Sequence, residues 1–221
     1  MESYQKLGYY HIMILRNFIV FEGIDGTGTT TQLERLKERF GEREAGRRVH
    51  FTCEPTGSPI GKLIRSGLRG ELVLTPDTMA RLFAADRGEH ISGKGGIVEL
   101  CGAGNAVISD RYLFSSLAYQ GISGDPALPE RLNRDFPLPE YLFFFDLDPD
   151  QAMDRVERRA GTLEIYEKRD FQRKVRERYL EIIDRYERKE PEMRVIRIDA
   201  ALPIGTIAGK IWSIVSELPK L

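Results

Sequence analysis

Apolar and polar positions alternate in blocks along this chain. Short runs that are apolar at nearly every position predict five strands, at residues 18–21 (FIVF), 48–53 (RVHFTC), 106–109 (AVIS), 141–147 (YLFFFDL) and 195–198 (VIRI). Between them, apolar residues recur at helical spacing. This predicts helices over 30–43, 60–68, 76–101, 151–159, 170–189 and 204–218, with the third loosened around its glycines at 93–96. Strands apolar on both faces and separated by helices belong in a parallel sheet covered on both sides. The expected fold is α/β and three-layered, a parallel five-stranded sheet flanked by helices. No segment repeats another, and none is of low complexity.

The bulk properties narrow the classes. At 221 residues the chain makes one domain, or one domain with a small appendage. Residues 1–16 read as an N-terminal extension and residues 17–221 as the domain; Met13 is a candidate start, with residues 1–12 expected to be poorly ordered. A net charge of −1, from 33 basic and 34 acidic side chains, argues against a general nucleic-acid binder. The two cysteines, Cys53 and Cys101, give neither a disulfide framework nor metal spacing. No apolar run approaches the roughly 20 residues that span a bilayer, and the N-terminus lacks a signal segment. A soluble cytoplasmic protein without a membrane partner is expected.

In parallel sheets, ligands bind beyond the carboxyl ends of the strands. Four polar clusters fall there, at residues 23–30, 53–57, 110–112 and 146–149. The first carries the most chemistry. Residues 17–32, NFIVFEGIDGTGTTTQ, read as strand, glycine-rich loop and helix start. That is the layout of a P-loop, in which backbone N–H groups and a helix N-terminus face a polyphosphate. Gly23, Gly26 and Gly28 permit close backbone approach, with Thr27 between the last two. Thr30 stands where a hydroxyl reaches Mg²⁺, followed by Thr31. The lysine expected between Gly28 and Thr30 is Thr29. Loss of one such stabilising group costs about 10²–10³ in rate.

The other clusters each have two readings. In Asp110-Arg111-Tyr112, the aspartate either holds Mg²⁺ through water and the arginine clamps phosphate, or the two form a strand-end ion pair. Glu54-Pro55-Thr56-Gly57 is either a turn or a carboxylate and rigid proline wall beside a ligand; a cis Glu54–Pro55 bond is rare enough not to be expected. Phe83 and Arg87 share a helix face, either to stack on and hydrogen-bond a nucleobase or as core and surface positions. Arg155, Arg158, Arg159, Lys168 and Arg169 surround residues 160–167, either as a phosphate-closing lid or as a solvated basic face. The run 173–188 alternates acids and bases and reads as a self-paired surface. His11, His50 and His90 form no triad or metal set.

Taken together, FEGIDGTGTTTQ, CEPTGSPIGKLIR, LFAADR, SDRYLFSSLAYQG and FFFDLDPDQAMDRVERR resemble bacterial thymidylate kinases in order and spacing. The resemblance runs from about residue 17 to about residue 218. It implies a P-loop nucleoside monophosphate kinase, usually a homodimer, that moves the γ-phosphoryl group of ATP·Mg²⁺ onto dTMP. It also implies a lid at about 158–169. Asp25 then resembles the carboxylate near the acceptor phosphate and sugar, and Glu54 one facing the acceptor and its metal. Arg65 and Arg111 match arginines that hold the dTMP phosphate. Phe83 matches the aromatic stacked on thymine, and Arg87 the donor to its carbonyl. Ser116, Tyr119 and Gln120 match residues lining the base and deoxyribose. Thr30 and Asp110 are the expected Mg²⁺ groups.

Three positions depart from the family. Thr29 replaces the loop lysine, Cys53 replaces an arginine, and Ile165 falls where many members have a lid arginine. Arg158 or Arg159 is the expected compensating charge at the γ-phosphate, with Arg159 preferred because it precedes Gly161. Two alternatives remain at this point: a nucleotide-binding protein with little catalysis, favoured by the missing charges, and a kinase for another deoxynucleoside monophosphate.

Overall fold

The computed structural model describes residues 13–41, 48–159 and 168–219. The chain runs β1 (Ile14–Gly23), α1 (Thr29–Gly41), β2 (Val49–Cys53), α2 (Pro59–Leu68), α3 (Pro76–Ser92), α4 (Ile97–Gly102) and β3 (Ala106–Asp110). It continues through α5 (Leu113–Ser123), α6 (Leu128–Asn133), β4 (Leu138–Asp146), α7 (Pro149–Arg159), α8 (Arg169–Lys189), β5 (Arg194–Asp199) and α9 (Ile204–Val215). The five strands form one all-parallel sheet in the order β2-β3-β1-β4-β5. Helices flank it, with α1 packed on α9 and α5 on α8.

The central strands explain the continuous apolar runs. Phe18, Ile19, Val20 and Phe21 are all fully buried, as are Leu142 and Phe143 of β4. Each such side chain contributes roughly 1.5–3 kcal/mol on burial. The edge strands β2 and β5 are short and partly exposed, which limits unwanted pairing. β1 lies centrally, with β3 on one side and β4 on the other, so its loop opens at the point where the strand order reverses.

Several elements differ from the expectation. β1 begins at Ile14, four residues before the apolar run. Its pairing with β4 shifts register between Leu15 and Ile19, where Asn17 takes φ 61°. The Asn17 N–H is satisfied by the buried Glu140 carboxylate at 2.9 Å, so the bulge carries polar residues within a strand. The helix expected over 76–101 is two helices, α3 and α4, parted at the glycines. Helix α5 has no counterpart in the sequence reading. Its first eight residues are buried except Ser115, so no polar face marks a helical period. Short α6 escaped the reading for lack of length. The Glu54–Pro55 peptide bond is cis. Residues 1–12 and most of the expected lid, including Gly161 and Ile165, lie outside the described residues.

Candidate active site

The loop after β1 is shaped by its glycines. Gly26 and Gly28 have φ of 88° and 89°, accessible to glycine with little strain. A Cβ on Gly26 would lie 2.2 Å from the Ala152 carbonyl oxygen, so α7 leaves no room for a side chain. The Thr27 hydroxyl donates to the Ile24 carbonyl at 2.8 Å and closes the turn. α1 then opens at Thr29 with no acidic residue in its first turn, leaving its N-terminal amides and dipole to an anion. Thr29 is half-buried, and Thr30 is exposed beside it.

A cavity of about 470 Å³ opens from this loop. At the loop end stand Asp25, Thr30, Asp110 and Arg111. Arg65 of α2, Glu54, Pro55, Phe83 and Gln120 line it as well, and Tyr119 lies beside Asp25 and Arg111. Arg65 donates to the Pro55 carbonyl and lies 3.8 Å from the Cys53 sulfur. Eight expected acceptor residues therefore converge: Asp25, Glu54, Pro55, Arg65, Phe83, Arg111, Tyr119 and Gln120.

Arg87 and Ser116, expected beside the base and deoxyribose, do not line this cavity. Arg87 is buried and donates to Glu54 Oε2 through Nε at 2.9 Å and Nη2 at 2.6 Å, to Asn133, and to Ser116 at 3.1 Å. With its donors held by protein oxygens, it supports Glu54 from behind. Glu54 Oε1 lies 3.1 Å from His90 Nδ1, and His90 Nε2 lies 2.7 Å from the Thr52 hydroxyl. The neighbouring Asp86 accepts from the Thr56 amide at 2.7 Å and the Ser58 hydroxyl at 2.8 Å. Ser58 also caps α2 through the Gly61 amide. Three side chains of α3 thus fix the whole segment after β2. Sequence reading missed Asp86, His90 and Ser115; the latter lines the cavity in place of Ser116.

Arg111 sits in a tight turn with φ 69°, its N–H bonded to the Phe21 carbonyl at 2.8 Å. Its guanidinium pairs with Asp25 and reaches the Gly23 carbonyl and Ser115 hydroxyl, each at 3.2 Å. Burial opposes its charge, but Tyr119 and Asp25 favour it, and its pKa is raised well above the ordinary value. Burial also raises the Tyr119 pKa, and the Asp25 charge adds to this. The phenol therefore stays protonated and donates to Asp25 at 3.1 Å. Below the turn, Glu22 accepts from the Tyr112 amide at 2.9 Å, the Ser115 amide at 3.1 Å, the Ser115 hydroxyl at 2.7 Å and the Tyr179 hydroxyl at 2.8 Å. Burial nevertheless pushes its pKa up to about 7, against the lowering effects of Arg111 and these donors.

A second cavity, about 340 Å³, lies across the loop. Gly26, Thr27, Gly28 and Thr31 meet Arg155, Leu202 and Ile204 there. Gly23 and Thr29 line neither cavity. Arg155 is anchored through the Ala200 carbonyl at 3.1 Å. Arg158 is exposed on α7 and lines neither cavity; the Arg159 side chain lies outside the described residues.

Thr30 and Asp110 are brought together across 80 residues, the hydroxyl 3.0 Å from Asp110 Oδ2. Asp110 Oδ1 is buried without a hydrogen-bond partner among the described residues. This hard-oxygen pair fits Mg²⁺ held mainly by substrate phosphates and water. Among the described residues, no group of three or more His, Cys, Asp and Glu forms a protein-only metal cage.

A family model described as thymidylate kinase matches residues 21–211. A protein of Treponema pallidum named as a thymidylate kinase is 42% identical over 208 residues, covering 94% of this chain and 99% of its own. Similarly named relatives include one from Thermococcus kodakarensis, 39% identical over 91% of this chain and 98% of its own. Another, from Methanococcus maripaludis, is 37% identical over 94% and 99%.

Proposed function

The chain belongs to the thymidylate kinase family, and on that premise we propose how its residues move the γ-phosphoryl group of ATP onto dTMP to give dTDP. One observation carries the assignment of roles. A single cavity is lined by an aromatic ring and an amide, Phe83 and Gln120, and by Arg65, Arg111 and the P-loop residues Asp25 and Thr30. Those are the group types that a base and a phosphate of a nucleoside monophosphate call for.

In this reading thymine lies against Phe83 with Gln120 at its edge, while Glu54 and Pro55 form a wall held by Arg87. Arg65 and Arg111 orient the acceptor phosphate. Tyr119 and Asp25 stand by the deoxyribose and the phosphate. The P-loop amides and the α1 N-terminus take the donor phosphates, and the second cavity takes the adenosine beside Arg155. Thr30 and Asp110 would hold Mg²⁺, which would supply positive charge to the donor phosphates. Transfer is in-line and needs no covalent intermediate or strong general base, because a phosphate oxygen is already nucleophilic at neutral pH.

Thr29 leaves the phosphate clamp without its usual point charge, and Arg158 or Arg159 is proposed to supply it from the α7 end. Dimerisation, a cytoplasmic location and the absence of nucleic-acid partners belong to the same proposal. The test is ADP release from ATP·Mg²⁺ with dTMP, dUMP, dCMP or no acceptor, on wild type and Thr29→Lys. Turnover that depends on dTMP supports the reading. Turnover in Thr29→Lys alone overturns wild-type catalysis, and a preference for dCMP overturns the assignment of the base site.

A further inference from the structure

α8 follows the expected lid and carries a polar stripe inward. Gln172, Arg176 and Tyr179 are spaced to share one helical face. Each grips a carboxylate at the edge of the sheet that bears the P-loop. Gln172 Nε2 donates to Asp25 Oδ2 at 2.7 Å. Arg176 donates to both oxygens of Asp146, at 2.7 and 3.1 Å. Tyr179 donates to Glu22 at 2.8 Å.

Gln172 is the most telling of the three. It is fully buried, and a buried amide is costly unless bonded. Its orientation follows from chemistry, because only the NH₂ end can donate to a carboxylate. Its oxygen lies 3.5 Å from the Tyr119 hydroxyl. Asp25 is thus held on one oxygen by Gln172 and Tyr119, and presents the other to Arg111.

Resting on the kinase reading above, we propose that Gln172 is a positioning residue for phosphoryl transfer: it fixes Asp25, and through Asp25 sets where Arg111 meets the acceptor phosphate. Without it, the half-buried Asp25 carboxylate loses its shortest neutral donor and draws on Arg111 instead.

The groups that face Gln172 include Asp25 from the loop, Tyr119 from α5 and, through Asp25, Arg111. Along α8, Arg176 is committed to Asp146 and Tyr179 to Glu22. Glu22 ionises in the working pH range, so each variant is read as a ratio to wild type.

The experiment uses the full chain as wild type, Gln172→Leu and Gln172→Glu. ADP release with ATP·Mg²⁺ and dTMP, and dTMP binding by calorimetry, are followed from about pH 5.5 to about pH 8.5. Gln172→Leu is expected to raise KM and Kd for dTMP by about ten-fold or more and to lower kcat, at a ratio to wild type independent of pH. Gln172→Glu is expected to be as impaired at high pH and to recover toward wild type as pH falls, because a protonated carboxyl again donates to Asp25. Values for Gln172→Leu within about two-fold of wild type, or a Gln172→Glu ratio flat across pH, overturn the proposal. Wild type that binds dTMP without turning it over defeats the activity; the calorimetric arms still decide Gln172.

Discussion

Arg87 grips one oxygen of Glu54 with two nitrogens, Nε at 2.9 Å and Nη2 at 2.6 Å, with both side chains almost fully buried. An ion pair removed from water holds its partners strictly, because breaking it strands a buried charge. The pair fixes one wall of the acceptor cavity from behind. Arg87→Met is expected to cost about 3–5 kcal/mol. Calorimetry should show a Tm drop of roughly 6–20 °C, at about 2–4 °C per kcal/mol for a chain of this size. Adding Glu54→Gln should recover part of that loss, because the stranded charge is gone.

Stability should also depend on pH through Glu22. Its pKa rises from 4.5 unfolded to about 7 folded, so the native state binds the proton more tightly. The resulting stabilisation is fully present below about pH 4.5 and is lost as pH rises through about 7. The span corresponds to about 3 kcal/mol. Urea unfolding at pH 5 and pH 8 should show wild type gaining on Glu22→Gln at the lower pH by roughly 2–3 kcal/mol.

Two of the P-loop glycines, Gly26 and Gly28, should respond unequally to alanine. Both have positive φ, but a Cβ on Gly28 meets nothing within 4 Å, whereas one on Gly26 meets the Ala152 carbonyl at 2.2 Å. Gly28→Ala should cost about 1–2 kcal/mol of backbone strain. Gly26→Ala should cost clearly more and displace α7 from the loop. Chemical unfolding and ATP binding by calorimetry separate the two.

Phe83 is the aromatic residue of α3 that lines the cavity. Phe83→Leu should raise KM for dTMP by about 10- to 100-fold, the value of one base–aromatic stack, with kcat changed little. An unchanged KM places the base elsewhere.

Thr30→Val removes the hydroxyl that meets Asp110 and leaves the fold intact, because Thr30 is exposed. The Mg²⁺ concentration needed for half-maximal rate should rise, and kcat should fall by about 10²-fold. Rates across a Mg²⁺ titration read both.

The order and type of most elements were legible in the chain, and the reason is local. Phe18–Phe21 and Tyr141–Phe145 are apolar on both faces because they sit in the middle of a parallel sheet, and that leaves a mark in sequence. Gly26 and Gly28 mark their turn because backbone dihedrals are a property of single residues. Helix α5 left no such mark, because burial around most of its circumference erases the helical period. Side-chain partnership was equally silent. Phe83 and Arg87 share a helix face in any reading, yet only the packed structure turns Phe83 to the cavity and commits Arg87 to Glu54. Which of Ser115 and Ser116 lines the cavity depends on where α5 lies against β1. The hold of Gln172 on Asp25 spans 147 residues. Local chemistry set the loop and the strands; the pairing of distant buried polar groups, fixed only when the layers close, decided which candidate residues touch the cavity and which hold it in shape.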